Sequence, residues 1–215
     1  MSDARTEVLA RVRNALGDVP VGEAAVPERV ERAGVVALDM EALVERFAER
    51  VEDYRATVTR CEAGDDQIAL AVAAATARHG ARRLAVAPGV AGGWRPDGVT
   101  FSIDEPALSI TELDAVDGVL TGSALGIAET GTIVLDGGPS SGRRALTLVP
   151  DLHICVVRAA DLVAGVPEAM LALRDAFAAG RPLTFVSGPS ATSDIELDRV
   201  EGVHGPRRLE VVLAT

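Results

Sequence analysis

Apolar residues recur along this chain with two periods, one typical of amphipathic helices and one of short strands. Helical spacing predicts helices over residues 2–16, 40–53, 65–79, 109–115 and 167–178. Short apolar or alternating runs, typical of strands, lie at residues 54–61, 83–87, 99–103, 117–122, 132–135, 145–149, 153–157, 183–186 and 208–213. Helices and strands that alternate in this way predict a mainly parallel sheet with helices on both faces, an α/β fold.

The amino-terminal region breaks this pattern. Residues 18–37 carry Pro20, Gly22, Pro27 and Gly34 and show no clear periodicity, which is typical of a loop. We therefore expect residues 1–38 to form a helix on a flexible arm, available to a partner or to a second subunit. With 215 residues, the chain is long enough for one large core, so we expect residues 39–215 to form a single domain.

Composition excludes several classes of function. The formal net charge of −11 argues against binding to nucleic-acid backbones or anionic membranes, which both require a positive field. All 21 basic residues are arginine, so neither a Schiff-base lysine nor a P-loop lysine is available. The chain also contains no run of about 18 apolar residues and no long apolar leader. We expect a cytoplasmic protein with no membrane span.

Cysteine and histidine spacing gives no metal signature. Cys61 and Cys155 are far apart and cannot by themselves supply the four thiolates of an iron–sulfur cluster, so two buried core cysteines are the simpler interpretation. The three histidines are widely spaced, without a His-Glu-x-x-His pattern. We expect His153, in an apolar strand, to be a core or pocket-wall residue, and His79 to suit the end of a helix.

An unusual carboxylate lies in the stretch Gly126-Ile-Ala-Glu-Thr-Gly-Thr-Ile-Val-Leu135. Glu129 stands among small and hydroxylated residues, directly before an apolar run that must enter the core. A buried carboxylate is costly unless it is hydrogen-bonded or serves a ligand, which makes Glu129 a candidate for reactive chemistry. The alternative is a glutamate on an exposed turn.

A second polar stretch, which we expect to meet the first, runs from Ser187 to Glu196 and continues at Gly202-Val-His-Gly-Pro206. Its glycine and hydroxyl groups are typical of anion-binding loops at the carboxyl edge of a parallel sheet. An ordinary strand-to-helix turn with Ser193 as the N-cap explains much of the same pattern. His204, between two glycines, can act as a general base, orient a carbonyl or bond to the backbone.

Four motifs together resemble the LUD domain family, in particular its lactate-utilisation protein C branch. They are Gly126–Leu135, Leu148-Val-Pro-Asp-Leu-His-Ile-Cys-Val-Val157, Gly188-Pro-Ser-Ala-Thr-Ser-Asp-Ile-Glu196 and Gly202–Pro206. The similarity runs in order from about residue 40 to the end of the chain. It implies a LUD domain over residues 39–215 with a three-layer α/β/α fold, of the class that contains ribose-5-phosphate isomerase, glucosamine-phosphate deaminase and CoA transferases.

The resemblance also implies a role in oxidising L-lactate to pyruvate. Iron–sulfur clusters are then expected only in partner proteins, with no cofactor in this chain. Glu129-Thr-Gly131 matches the Glu-x-Gly pattern of CoA transferases, so Glu129 and His204 are the candidate catalytic residues. The candidate ligands of a small carboxylate or phosphate anion are Thr130, Gly131, Thr132, Ser187, Gly188, Ser190, Thr192 and Asp194. The competing hypothesis is a non-catalytic subunit that assembles the partner proteins or binds a ligand.

Overall fold

The computed structural model describes residues 2–16, 38–193, 199–201 and 204–215. The chain divides into two units, Met1–Val36 and Ala37–Thr215. In the first unit, helix α1 spans Ser2–Leu16, as its hydrophobic spacing predicts. The rest of the predicted arm lies outside the described residues, and the domain boundary after residue 38 stays a prediction.

The second unit is built on a parallel sheet. In the described part of the chain this sheet has six strands: β1 (Thr57–Cys61), β2 (Arg83–Val86), β3 (Thr100–Ile103), β4 (Gly118–Gly122), β7 (Leu152–Arg158) and β12 (Arg208–Ala214). Their order in the sheet is β1-β12-β7-β4-β2-β3, and every neighbouring pair is parallel. Each of these strands was predicted from its apolar run, within three residues at either end.

Helices cover both faces of this sheet. Helix α2 (Met40–Asp53) begins where the Asp39 side chain accepts a hydrogen bond from the Ala42 backbone N–H. Helix α3 (Asp65–His79) ends at Gly80, whose φ of 62° suits glycine. Helix α4 (Ile110–Asp114) carries a capping box between Ser109 and Glu112. The mainly parallel sheet with flanking helices confirms the predicted α/β fold.

A smaller mixed sheet lies beside α2. Its strands are β5 (Leu125–Ile127), β6 (Thr132–Leu135), β8 (Leu162–Val163) and β9 (Thr184–Val186), in the order β8-β5-β6-β9. Strand β6 runs antiparallel to both β5 and β9, so residues 128–131 form a hairpin turn. Strands β10 (Ala191–Ser193) and β11 (Arg199–Glu201) form a separate antiparallel pair.

Strand β7 contributes side chains to the hydrophobic core on both faces of the sheet. Leu152, Ile154 and Val156 pack towards α3, while Cys155 and Val157 pack towards α2 and the mixed sheet. Both faces of the strand are buried, which is why β7 reads as a continuous apolar run rather than an alternating one. His153 shares the side of Cys155, because side chains alternate along a strand.

Several predicted elements differ from the structure. Residues 145–149 were predicted as an apolar, strand-like run, but Arg144–Thr147 form a 3-10 turn because a tight loop returns the chain to β7. The helix predicted over residues 167–178 is divided at Leu173 into α5 (Val166–Ala172) and α6 (Arg174–Ala178). The short strands β5 and β8 were missed. Ser193 ends a strand instead of capping a helical turn, and residues 194–198 lie outside the described residues.

The position predicted for the 187–193 loop is wrong. We expected it at the carboxyl edge of the parallel sheet, but β9 belongs to the mixed sheet, so the loop that follows it starts from a different layer. The glycine-rich loop that begins at Pro88 does follow a strand of the parallel sheet, β2, as predicted. Among the described helices, none combines the length and the hydropathy that a membrane crossing requires.

Candidate functional site

A cavity of about 220 Å³ opens where the 187–190 loop crosses the amino ends of β7 and β12. Its floor includes His153 and Leu209, which are the second residues of these two strands and are paired in register. The cavity has an apolar wall and a polar wall. Apolar contacts come from Phe185, Val186, Pro189, Pro206 and Leu209; polar groups come from Arg144, Thr147, His153, Ser187, Ser190 and His204.

Two separate loops are joined at the rim of this cavity. The Ser190 backbone N–H donates to the carbonyl oxygen of Pro206 at 2.8 Å. The His204 backbone N–H donates to Ser190 Oγ at 3.0 Å. These two bonds bring Ser190 and His204, predicted separately as site residues, to one pocket.

Arg144 is the cation of this cavity. Its Nη1 donates to the carbonyl oxygen of Thr147 at 2.9 Å and to Thr147 Oγ1 at 3.1 Å, while Nη2 donates to the His204 carbonyl oxygen at 3.0 Å. The guanidinium is therefore fixed by neutral acceptors. No carboxylate pairs with it among the described residues, which leaves its positive charge available to an anion.

Sequence reasoning missed Arg144. The signal was present in Ser140-Ser-Gly-Arg-Arg144, a polar loop with two adjacent arginines. Arg143 forms an ion pair with the buried carboxylate of Asp104, which it contacts through Nε at 2.7 Å. The sequence does not show that Arg143 forms an ion pair while Arg144 lines the cavity. That difference depends on their partners, which lie about 40 and 60 residues away in the chain.

His153 is a buried wall residue, as predicted. Its side chain is 1% exposed, and Nε2 lies 2.8 Å from Thr121 Oγ1 in the neighbouring strand β4. Burial, reinforced by the charge of Arg144, lowers the pKa of His153 to about 4. The ring is therefore neutral at pH 7, next to the one cationic side chain that we find in the described cavity wall.

A chain of hydroxyl groups connects the hairpin turn to this cavity. Thr130 Oγ1 lies 2.7 Å from Thr132 Oγ1, which in turn lies 2.7 Å from Ser187 Oγ. Ser187 lines the cavity, whereas the two threonines lie behind it. The expected meeting of the two polar stretches is thus confirmed, through hydroxyl groups rather than through Glu129.

Of the two interpretations of Glu129, a buried carboxylate and an exposed turn, the structure supports the second. Glu129 is exposed on the turn between β5 and β6, and it does not line the cavity. Its backbone N–H donates to the Ala164 carbonyl oxygen at 3.0 Å. Its carboxylate lies near Gly165, where an added Cβ would come within 2.9 Å of Glu129 Oε2. The turn places the side chain at the surface, although apolar strands lie on either side of it.

Two predicted glycines pack on the carboxyl end of α2. Gly131 has a φ of 59°, and a Cβ there would lie 2.6 Å from the backbone carbonyl carbon of Arg50. Gly188 has a φ of 100°, and a Cβ there would lie 2.6 Å from the Cβ of Tyr54. Both positions require glycine for conformation and for close packing. A role in ligand binding stays a prediction for these two residues.

The remaining predicted residues are less defined. Thr192 lies in β10, and Asp194 lies outside the described residues. His79 lies at the end of α3, as expected, and its Nε2 contacts Glu210 Oε1 at 2.7 Å. In the described ranges, no group of three or more His, Cys, Asp or Glu side chains is placed to hold a metal ion.

Comparison with known proteins gives consistent matches. The family model described as "LUD domain" matches residues 109–214. Lactate utilization protein C of Deinococcus radiodurans is 45% identical over 213 residues, which cover 99% of this chain and 96% of that protein. Lactate utilization protein C of an Exiguobacterium species is 30% identical over 183 residues, 80% of this chain and 78% of that protein.

A solved structure supports the same relationship. The crystal structure of a DUF162 family protein from Deinococcus radiodurans aligns with a TM-score of 0.72 and 41% identity. The alignment covers 83% of this chain and 99% of that chain. Sequence and fold therefore point to the same group of proteins.

Proposed function

The chain belongs to the LUD domain family, in its lactate utilization protein C group, and has a role in lactate utilisation; we propose that it binds a small anion in the cavity at Arg144. The anion is a carboxylate or a phosphate. Arg144 supplies the charge, while Ser187, Ser190 and the His204 side chain supply hydrogen bonds.

The fixed guanidinium is the observation that carries this proposal. A half-buried arginine normally pairs with a carboxylate, and this protein has 32 acidic residues to offer. Thr147 and the His204 carbonyl instead hold Arg144 at the cavity wall, without a carboxylate among the residues that the structure describes. A bound anion would complete the charge pair, and charge-assisted bonds of this kind are about twice as strong as neutral ones.

The size of the cavity favours a small ligand. Its volume of about 220 Å³ is below the roughly 300–1,000 Å³ of pockets that enclose drug-sized molecules. A three-carbon acid fits in this space together with a few water molecules. The apolar wall of Phe185, Val186 and Leu209 suits the methyl end of such an acid.

Calorimetric titration with L-lactate, acetate and inorganic phosphate tests this proposal. We expect at least one of these anions to bind, and Arg144→Gln to weaken that binding by about 10- to 100-fold, the equivalent of a lost charged hydrogen bond. Arg60→Gln is the matched control, because Arg60 forms an exposed ion pair with Glu45 outside the cavity. Unchanged binding by Arg144→Gln, or no binding of any of the three anions to the native protein, contradicts the proposal.

Within the same proposal, the protein is a cytoplasmic subunit of a system that oxidises L-lactate to pyruvate. The iron–sulfur clusters of that system then belong to partner proteins, and this chain carries no cofactor. Glu129 remains a candidate for CoA-transferase-like acyl chemistry, supported by the hydroxyl chain that leads from its neighbour Thr130 to the cavity. Its exposure favours a role in binding over one as a buried nucleophile.

A non-catalytic assembly role is the second candidate. It is favoured by helix α1, where Val8, Leu9 and Val12 expose apolar side chains at helical spacing. Co-purification from cells separates the two functions. Deletion of residues 1–38 should release the partner proteins if the arm assembles them, and their retention by the shortened protein counts against that role.

A further inference from the structure

Helices α5 and α6 leave most of their large apolar side chains exposed. Ala169, Leu173 and Ala176 are buried, and the first two pack with strands β5 and β6 of the mixed sheet. The exposed apolar residues of the two helices, which we call the α5–α6 face, are Val166, Met170, Leu171 and Phe177. A group of apolar side chains on a protein surface is typical of an interaction site.

The division at Leu173 does not interrupt the helical path. The Leu173 backbone N–H donates to the Ala169 carbonyl oxygen at 2.9 Å, and the Phe177 backbone N–H donates to the Leu173 carbonyl oxygen at 3.0 Å. Both bonds join residues four positions apart, as in an α-helix. Val166, Met170 and Phe177, at spacings of four and seven residues, therefore follow one another along one side of the two helices.

Helix α3 provides a contrast within the same domain. It exposes one large apolar residue, Leu70, which is 64% exposed. Single apolar residues of this kind are common on protein surfaces and need no partner. Leu171 is similarly exposed, at 62%, but it shares its two helices with three further exposed apolar residues. The grouping of these residues, and not the exposure of any one of them, distinguishes the α5–α6 face.

Two opposite charges lie at equal distances from Leu171 along the chain. Glu168 comes three residues before it and Arg174 three residues after it, and both are exposed. Neither side chain forms a hydrogen bond or an ion pair with another residue in the described ranges. The α5–α6 face thus offers an anion and a cation beside its apolar groups, which suits a partner that carries the same two charges in reverse order.

A second copy of the same face presents that reverse order when it runs antiparallel. In a twofold-symmetric interface each contact occurs twice, so two copies that cross at Leu171 bring Glu168 of one protomer towards Arg174 of the other. A parallel crossing would place like charges together, which is unfavourable. The net charge of −11 on each copy opposes association, but physiological salt screens this repulsion beyond roughly 8 Å.

We propose that the α5–α6 face is the interface of a homodimer, in which Leu171 packs near the twofold axis and Glu168 of each protomer pairs with Arg174 of its partner. Burial of the apolar side chains supplies the main driving force, and the two ion pairs set the antiparallel orientation. This dimer is separate from anion binding, because none of these residues lines the cavity at Arg144.

Sedimentation equilibrium of the full chain at micromolar concentrations tests the proposal. The native protein should have twice the mass of one chain. Leu171→Glu should raise the Kd of the dimer by about 10-fold or more, because it places two like charges at the twofold axis. Leu70→Glu is the matched control and should remain dimeric, since Leu70 has a similar exposure outside the face. Circular dichroism of both variants checks that they are folded.

Exchange of the two charges tests the orientation. Glu168→Arg and Arg174→Glu should each weaken the dimer, because each places like charges together, and the two substitutions in one chain should restore it. A monomeric native protein, or a Leu171→Glu variant that dimerises normally, overturns the proposal. Loss of the dimer on deletion of residues 1–38, with Leu171→Glu still dimeric, assigns the contact to the amino-terminal arm instead. A double variant no tighter than the single ones overturns the antiparallel pairing.

Discussion

Two glutamates of this protein occupy opposite environments although the sequence around each is apolar. Glu129 lies in the 128–131 turn and is exposed, whereas Glu210 lies inside strand β12 and is 2% exposed. Glu210 is paired on the inside: Arg78 Nη2 reaches its Oε2 at 2.6 Å, and His79 Nε2 reaches its Oε1 at 2.7 Å. The glutamate that the sequence singles out is therefore exposed, and the buried carboxylate belongs to a strand residue that the sequence does not single out.

The difference shows what makes a buried carboxylate tolerable. Arg78 and His79 come from the last turn of α3, more than 130 residues before Glu210 in the chain. Arg78 also donates to Thr59 Oγ1 at 2.9 Å, so the cluster joins α3 to strands β1 and β12. A turn residue has the simpler solution of facing water, which costs nothing in desolvation.

The largest effect that we expect is a loss of folding stability at acidic pH, caused by protonation of His153. The pKa of His153 is about 4 in the folded protein, against 6.5 for an exposed histidine, because its burial disfavours the charged ring. The unfolded chain therefore binds the proton first, so the contribution of His153 to stability is complete above pH 6.5 and is lost as the pH falls towards 4. At about 1.4 kcal/mol per pH unit, this loss is roughly 3 kcal/mol.

Denaturant unfolding of the native protein and of His153→Phe between pH 7 and pH 4 measures this contribution. The variant should lose less stability over that range. Parallel profiles for the native protein and His153→Phe would show that the buried ring is not the acid-sensitive group.

The Glu210 cluster gives the next largest effect. Arg78→Met removes the main partner of a carboxylate that stays buried, and we expect a loss of about 2–3 kcal/mol in the free energy of unfolding, less than for a fully buried pair because Arg78 is 39% exposed. Arg60→Met, which breaks the exposed pair with Glu45, should cost about 1 kcal/mol or less. Equal losses in the two variants would mean that burial of Glu210 is unimportant for stability.

The glycine of the turn should matter more than its carboxylate. Gly131→Ala combines a φ of 59° with a contact of 2.6 Å to the Arg50 backbone, and should cost about 2 kcal/mol or more. Gly80→Ala is the matched control: φ is 62°, but the space around its Cβ is open, so it should cost about 1 kcal/mol. Thermal unfolding of both variants checks the order, and a smaller loss for Gly131→Ala would refute the packing argument.

The smallest effect is expected at Glu129. Glu129→Gln should change stability by no more than about 0.5 kcal/mol, as is usual for an exposed position. The same stable variant tests chemistry, through growth on lactate of cells that depend on this protein. Wild-type growth would exclude a catalytic role for the carboxylate, whereas a growth defect with normal stability would support one.

The fold was largely predictable because its strands and helices carry their own periodic signals. Parallel strands buried on both faces, such as β7, appear as continuous apolar runs, and α2 and α3 carry clear end signals at Asp39 and Gly80. The short strands β5 and β8, of three and two residues, were missed because so few positions show no period. They form only because neighbouring strands complete their hydrogen bonds.

The candidate site, like the fold, was predicted only in part from the sequence. By itself, the sequence determined that Ser187, Ser190 and His204 lie in glycine-rich loops and that His153 lies in a buried strand, because turn chemistry and strand hydropathy are local properties. Only the tertiary structure decided that these residues share a cavity with Arg144 and that Glu129 lies outside it. That decision depends on contacts between residues far apart in the chain, such as Arg144 with His204 and Thr132 with Ser187, which no local pattern encodes.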